Sequence, residues 1–293
     1  MSAELHQQLI EISGLRVRPG EPMAAHVPLR VGGAAELWAV AEHADALRDC
    51  IRAARRNKVG WRLHWPLQDW VVRDGHLGGL TIRPGRGFEG IERLAPDRIR
   101  IGAATPWSAV AGLGEGWWAE LVRWPGTPGG LFSDGEQDRI HGMCMGVRWL
   151  TGRGISEIEI EPGERPPPLP STGILLSVDV APGLLIFDGV DGPLPPRPGR
   201  LFADPEVAGR VRPAEPLLRD ADVPGARLRA WRMTEHEPGT VVNLGGGTAR
   251  DLHLFAQAVS TQVEKSRGIK LSIRIPVVGQ DRLTPRRPLR GRR

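Results

Sequence analysis

Three glycine-rich runs, and one connection that lacks glycine, frame the chemistry this chain could do. Gly32-Gly33, Gly126-Thr127-Pro128-Gly129-Gly130 and Gly245-Gly246-Gly247 let a backbone approach a ligand closely and turn its N–H groups toward an anion. The stretch from Trp61 to Arg83 reads as two short strands flanking a turn. Trp70-Val71-Val72 and Leu80-Thr81-Ile82 are strand formers, with turn signals at Asp74-Gly75 and Gly78-Gly79 between them. In front of the first strand, a loop that holds a diphosphate would need small residues. The chain has His64-Trp65-Pro66-Leu67-Gln68-Asp69 there. Trp65 is bulky, Pro66 has no N–H to donate, and Asp69 would repel a phosphate. The frame of an anion loop is present without its chemistry.

Other reactive residue types are not grouped. His26, His141, His236 and His253 have no metal-ligand spacing, and no metal is expected. Cys50 and Cys144 lie far apart, which points to two inert thiols and not to a disulfide framework.

The elements that must position these residues follow from periodicity. Residues 4–12 predict a short helix with Leu5, Leu9 and Ile12 on one face. The run from Ala25 to Val40 reads as strand, Gly-Gly turn, strand. A helix over 45–56 puts Ala46, Leu47, Cys50, Ile51 and Ala54 on one face, with basic residues at its C-terminal end. Residues 98–104 predict a strand, and Thr105-Pro106-Trp107 a helix start with Thr105 as cap. A strand is expected over 173–180. A helix is expected over 250–266, with Leu252, Phe255, Ala256, Val259 and Val263 inward. Before that helix, Gly245-Gly246-Gly247 either cradles phosphate at the helix N-terminus or packs closely ahead of a Thr248 cap. Pro-rich connections occupy 162–170 and 192–199.

The net charge is +5 over 293 residues, but six arginines and no acid lie within 282–293. The body is therefore close to neutral, at −1, and is not a basic nucleic-acid binder. The tail is expected to be a disordered, solvated end. The N-terminus lacks a basic region followed by an apolar one, and no apolar run reaches the length of a membrane span; a cytoplasmic protein is expected.

Four blocks, in order, resemble the UDP-N-acetylenolpyruvylglucosamine reductase (MurB) family: His26 to Glu36, Val71 to Ile82, Gly102 to Gly130, and a C-terminal block. That last block runs from Gly199-Arg200-Leu201-Phe202-Ala203-Asp204-Pro205 through Val242 to Leu252 and closes at Gly268 to Gly279. The resemblance implies a fold of two kinds, α/β and α+β. An FAD-binding region of the vanillyl-alcohol-oxidase (PCMH) type over 15–190 would precede a substrate domain over 191–280. It also implies FAD and NADPH as cofactors, a UDP-sugar substrate, and a reaction in which hydride passes through the flavin to an enolpyruvyl double bond while a proton is added to the neighbouring carbon.

Carried over residue by residue, the family's site is mostly replaced. The family's arginine is kept as Arg165, in a segment that has lost its aromatic residues and its serine. The proton-donating Ser is Arg200, the catalytic Glu is Arg274, and the Lys and Asn that serve the substrate's phosphates are Ala203 and Asp204. A guanidinium keeps its proton and cannot serve as donor, and losing a general acid costs about 10²–10⁴ in rate. The family's G-G-G-S-N loop corresponds to Trp65 to Asp69, and its N-A-G-A-Y-G run to a polar stretch around 133–138. What remains recognisable for a cofactor is Val31, Gly32, Pro125, Gly126, Thr127, Gly129 and Gly130, whose glycines would equally serve tight turns of the fold.

The expected function is therefore that of a catalytically degenerate relative, a pseudoenzyme with FAD binding weak or absent. UDP-sugar binding is placed in doubt by the same losses, and the role would be to bind or regulate cell-wall precursor enzymes or division proteins. One alternative is a working FAD- and NADPH-dependent reductase with a modified site. A second is a binding module that acts through the Arg-rich tail.

Overall fold

The computed structural model describes residues 3–113, 126–134, 140, 143–161, 164–181 and 199–281. The Arg-rich tail, Pro125, residues 135–138 of the polar stretch 133–138 and the Pro-rich run 192–198 lie outside them.

In chain order the elements are α1 (Ala3–Ile10), β1 (Leu15–Pro22), β2 (Ala34–Ala41), α2 (Ala44–Arg56), β3 (Trp61–Leu63), β4 (Val71–Val72) and β5 (His76–Pro84). They continue with β6 (Ile91–Ala95), β7 (Arg98–Gly102), α3 (Pro128–Ser133), β8 (Cys144–Thr151), β9 (Gly154–Glu159) and β10 (Ile174–Val180). The last part has β11 (Glu206–Val207), β12 (Arg210–Val211), α4 (Ala214–Asp220), β13 (Arg227–Leu228), β14 (Trp231–Met233), β15 (Val241–Asn243), α5 (Ala249–Arg267) and β16 (Val277–Val278).

These elements form two units. The described residues of one come from 3–20, 37–68 and 79–181, and those of the other from 21–36, 69–78 and 199–281. The first unit contains the five-stranded sheet β6-β7-β10-β8-β9, antiparallel throughout. Its core gathers Leu5 and Leu9 of α1, the apolar face of α2, Leu80 and Ile82 of β5, and the inward residues of β7, β8 and β10. Helix α2 starts where the His43 ring accepts the Ala46 N–H at 3.2 Å. It buries Ala46, Leu47, Cys50, Ile51, Ala53 and Ala54. Burial pushes both thiols, Cys50 and Cys144, up to about 12.

The second unit is organised by α5, which buries Leu252, Phe255, Ala256, Val259 and Val263 against α4, Leu201, Phe202, Trp231 and Met233. Thr248 caps it by accepting the Asp251 N–H at 3.0 Å, and Gly268 ends it in the left-handed region with φ of 68°.

Three local expectations are corrected. The residues of β4 and β5 do not pair across a turn. β4 pairs in parallel with β16, Val277 opposite Val71, because the backbone groups on either side of Val72 are taken by the distant 276–280 segment. β5 belongs instead to the sheet ordered β1-β2-β5-β3. Residues 26–33 form no strand: Val27, Leu29 and Val31 are buried in alternation, but the N–H groups of Val27 and Arg30 go to local turns and Pro28 has none. Thr105 is not a cap, since its hydroxyl bonds the Gly90 N–H at 2.8 Å and Gly90 carbonyl at 3.1 Å, and the segment 107–113 is a 3-10 helix. No helix among the described residues is long and apolar enough to cross a membrane.

Replacing Thr248 by Ala should cost about 1 kcal/mol in urea denaturation, the usual worth of such a cap. A thiol reagent at mildly alkaline pH should leave Cys50 and Cys144 unmodified until denaturant is added, because both thiols stay protonated and enclosed; rapid labelling of the folded protein would contradict this.

Candidate functional site

In the first unit, two loops lie against each other. The loop after β3 has three of its donors already spent. The His64 N–H goes to the Ile82 carbonyl at 2.9 Å, the Trp65 N–H to the Gln68 side-chain oxygen at 3.1 Å, and the Gln68 N–H back to the Trp65 carbonyl at 3.2 Å. The Gln68 amide then donates to Asp134 at 2.8 Å. Leu67 holds φ of 60°, a left-handed conformation that favours glycine. The second loop opens helix α3. Gly126, at φ of 75°, makes the turn. Thr127 caps the helix by accepting the Gly130 N–H at 3.2 Å, and the Gly129 N–H donates to the Ala103 carbonyl at 2.8 Å.

The loops meet at Trp65, which is 2 % exposed. Its indole lies on Gly129: a Cβ there would come within 2.3–2.6 Å of three ring carbons. The indole thus takes the space that the missing side chain leaves open. A diphosphate needs that face clear and amides aimed into it. With the indole in place and these amides bonded within the protein, the residues present do not fit a diphosphate there.

In the second unit, two arginines meet carboxylates. Arg200 pairs with Asp204 at 2.5 Å, and the same Asp204 oxygen accepts the Ala214 N–H at 2.7 Å, at the start of α4. Arg274 stands 3.7 Å from Asp69, whose carboxylate accepts the Gly199 N–H at 2.9 Å. The donors opening α5 are also spent: Asp74 accepts the Ala249 and Arg250 N–H groups at 2.8 and 3.1 Å, and Asn243 accepts those of Gly245 and Gly247 at 3.0 Å each. Gly32 is required by packing, since a Cβ on it would lie 2.4 Å from the Val72 Cβ. Val31 beside it is buried core. A cleft of about 410 Å³ opens next to Leu201 and Ile273, with Arg73 and Asp281 paired at 2.7 Å on its rim.

Comparison with known proteins gives this arrangement a context. Residues 193–278 match the family model for the C-terminal domain of UDP-N-acetylenolpyruvoylglucosamine reductase. The chain is 27 % identical to the UDP-N-acetylenolpyruvoylglucosamine reductase of Pelobacter propionicus, over 93 % of this chain and all of the other. It is 27 % identical to that of Myxococcus xanthus, over 92 % of this chain and 94 % of the other. The crystal structure of the Thermus caldophilus reductase (MurB) superposes with a TM-score of 0.63 at 18 % identity, over 90 % of this chain and 99 % of that one. The chain belongs to the MurB family. It is a divergent member, with the fold of the Thermus caldophilus reductase and, over residues 193–278, the MurB C-terminal domain.

On the correspondence with the MurB pattern expected from the sequence, the replaced positions are not scattered. The residues at the Ser and Asn positions, Arg200 and Asp204, pair with each other. So do those at the Glu position, Arg274, and at the Asn of the glycine loop, Asp69. Arg165, the arginine expected to be kept, is exposed in a stretch without helix or strand. Of the glycine-loop residues named from the sequence, Gly126, Thr127, Gly129 and Gly130 sit together and Pro125 lies outside the described residues. Sequence reasoning missed Gln68 and Asp74, which consume the amides of a loop and of a helix start. Asp74 had been legible only as a turn residue. Among the described residues no group of three His, Cys, Asp or Glu could hold a metal.

Gly129→Ala should destabilise the protein by about 1–3 kcal/mol through overpacking against the indole. In a Trp65→Ala background the same substitution should cost much less. A urea-denaturation double-mutant cycle that finds the two additive would show that the contact is not what constrains Gly129.

Proposed function

We propose that this chain is a catalytically degenerate MurB-family protein. It keeps the fold, does without flavin, and acts in peptidoglycan precursor synthesis in the cytoplasm by binding rather than by chemistry. The observation that carries this reading is the Trp65 indole seated on Gly129, where the family's loops would need room for a diphosphate. The paired replacements support it. A single lost Ser or Glu could be compensated by a neighbour. Here each new arginine faces a carboxylate that also replaced a family residue, so the positions now serve the fold. Asp204, bonded to Arg200 and to the start of α4, is a poor partner for a substrate phosphate, and UDP-sugar binding is expected to be weak. The partner on this reading is a cell-wall precursor enzyme or a division protein.

A second reading is an active FAD- and NADPH-dependent reductase with a modified site. What favours it is that the relatives matching nearly the whole chain carry the reductase name.

The two readings part on one measurement. Purified protein incubated with FAD and desalted should show no flavin absorbance, and no NADPH should be consumed with UDP-N-acetylenolpyruvylglucosamine. Near-stoichiometric flavin in the wild-type protein would sink the degenerate reading. Replacing 65–69 by the family's G-G-G-S-N should raise flavin retention without restoring turnover, since Arg200 and Arg274 remain.

A further inference from the structure

One face of the sheet β6-β7-β10-β8-β9 carries a network of charges. Asp179, 2 % exposed in its side chain, accepts two bonds from Arg100 at 2.6 and 2.8 Å and one from Arg98 at 3.0 Å. Arg100 also reaches Glu157 at 2.6 Å, and bonding to Asp179 raises its pKa further. These groups pair with one another, although the Arg98 Nε finds no acceptor among the described residues.

Ser177, two residues before Asp179 on β10, does not share in this. It is 5 % exposed, and its hydroxyl has no hydrogen-bond partner among the described residues. A bulge between Leu175 and Ser177 sets it opposite Arg148 of β8. The Arg148 Nε lies 3.2 Å from a Glu157 oxygen without a well-directed hydrogen bond, and that buried nitrogen has no other partner among the described residues. A fold seldom leaves a buried hydroxyl unmet without a reason.

Both side chains line one cavity of about 420 Å³, within the range of small-molecule sites. Phe88 and Leu176 give it apolar wall. Gly102, where a Cβ would meet the Phe88 carbonyl at 2.5 Å, lets the 88–90 backbone down close to the sheet. Glu89 and Glu92, both exposed and without an ion-pair partner among the described residues, complete the lining. A plain anion would face these carboxylates, and a plain cation would face Arg148.

We infer that this cavity binds a small zwitterion about as long as an unblocked tripeptide. Arg148 and Ser177 donate to its carboxylate, and Glu89 and Glu92 hold its ammonium group. Glu92 on β6 and Ser177 on β10 are two ladder spacings and two residues of register apart, about 12 Å; three extended residues span about 10 Å, and the Glu92 side chain covers the rest. None of the lining residues belongs to the loops of Trp65 and Gly129, so the inference stands whether or not flavin binds.

Calorimetry on the full chain tests it with trialanine as probe. Trialanine should bind, while N-acetyl-trialanine and trialanine amide should each bind at least about ten-fold more weakly, as loss of a hydrogen-bonded charge predicts. Ser177→Ala and Arg148→Met should weaken trialanine binding by about ten-fold. Glu89→Gln combined with Glu92→Gln should abolish the preference for a free amine. Ser177→Ala removes only an unmet hydroxyl, so its melting temperature should not fall, which keeps a loss of binding separate from unfolding. Absence of binding at millimolar trialanine, equal binding of the blocked peptides, or unchanged affinity in the folded Ser177 and Arg148 variants would each overturn the assignment.

Discussion

The contact of the Trp65 indole with Gly129 constrains the first unit more than any other single feature of the two loops. A glycine in that position is what lets two backbones close on an aromatic ring, and the ring in turn excludes everything else from the face it covers. The same residue that a phosphate-binding turn would need for close approach is needed here for packing. Glycine alone therefore says nothing about a ligand. Its neighbour across the gap decides, and at Gly129 that neighbour is carbon.

The charges of the second unit obey a parallel rule. A half-buried arginine is tolerated when an acceptor meets it, and each of Arg200 and Arg274 has a carboxylate within ion-pair distance. These carboxylates also serve the backbone, one at the start of α4 and one at Gly199. Such dual use ties side chains to main chain and leaves little capacity for an outside anion. On the correspondence expected from the sequence, the pairing also explains how several chemically drastic replacements coexist in a chain that retains the MurB fold. Each would leave an unmatched charge by itself, whereas together they cancel.

Periodic elements were legible from the sequence, and partners were not. Helices α2 and α5 stand where their apolar faces require, and the Thr248 cap was readable from residue type. The segment 26–33 misled because Val27, Leu29 and Val31 alternate as a strand would, yet their burial is achieved through local turns around Pro28. β4 misled because strand propensity does not name a partner, and the partner lies some 200 residues on. The absence of glycines before Trp70 was legible in the sequence. What accepts the amides there and at the start of α5 was not, since Gln68 and Asp74 are ordinary polar residues whose role depends on where distant amides point.

The accounting of amides joins these strands. Backbone N–H groups buried at a loop or helix start must find an acceptor, whether ligand, water or protein. A loop shaped to hold a diphosphate that comes to work without one is left with orphaned donors, and it is stable only if side chains move in to accept them. Gln68 at Trp65, Thr127 at Gly130, Asp74 at the start of α5 and Asn243 in the glycine run are acceptors of that kind. On the flavin-free reading, the loss of a cofactor and the arrival of internal acceptors are one change seen from two sides. Leu67 fits that reading: a bulky residue held in the left-handed region that favours glycine, in a turn where the amides of Trp65 and Gln68 bond to the protein.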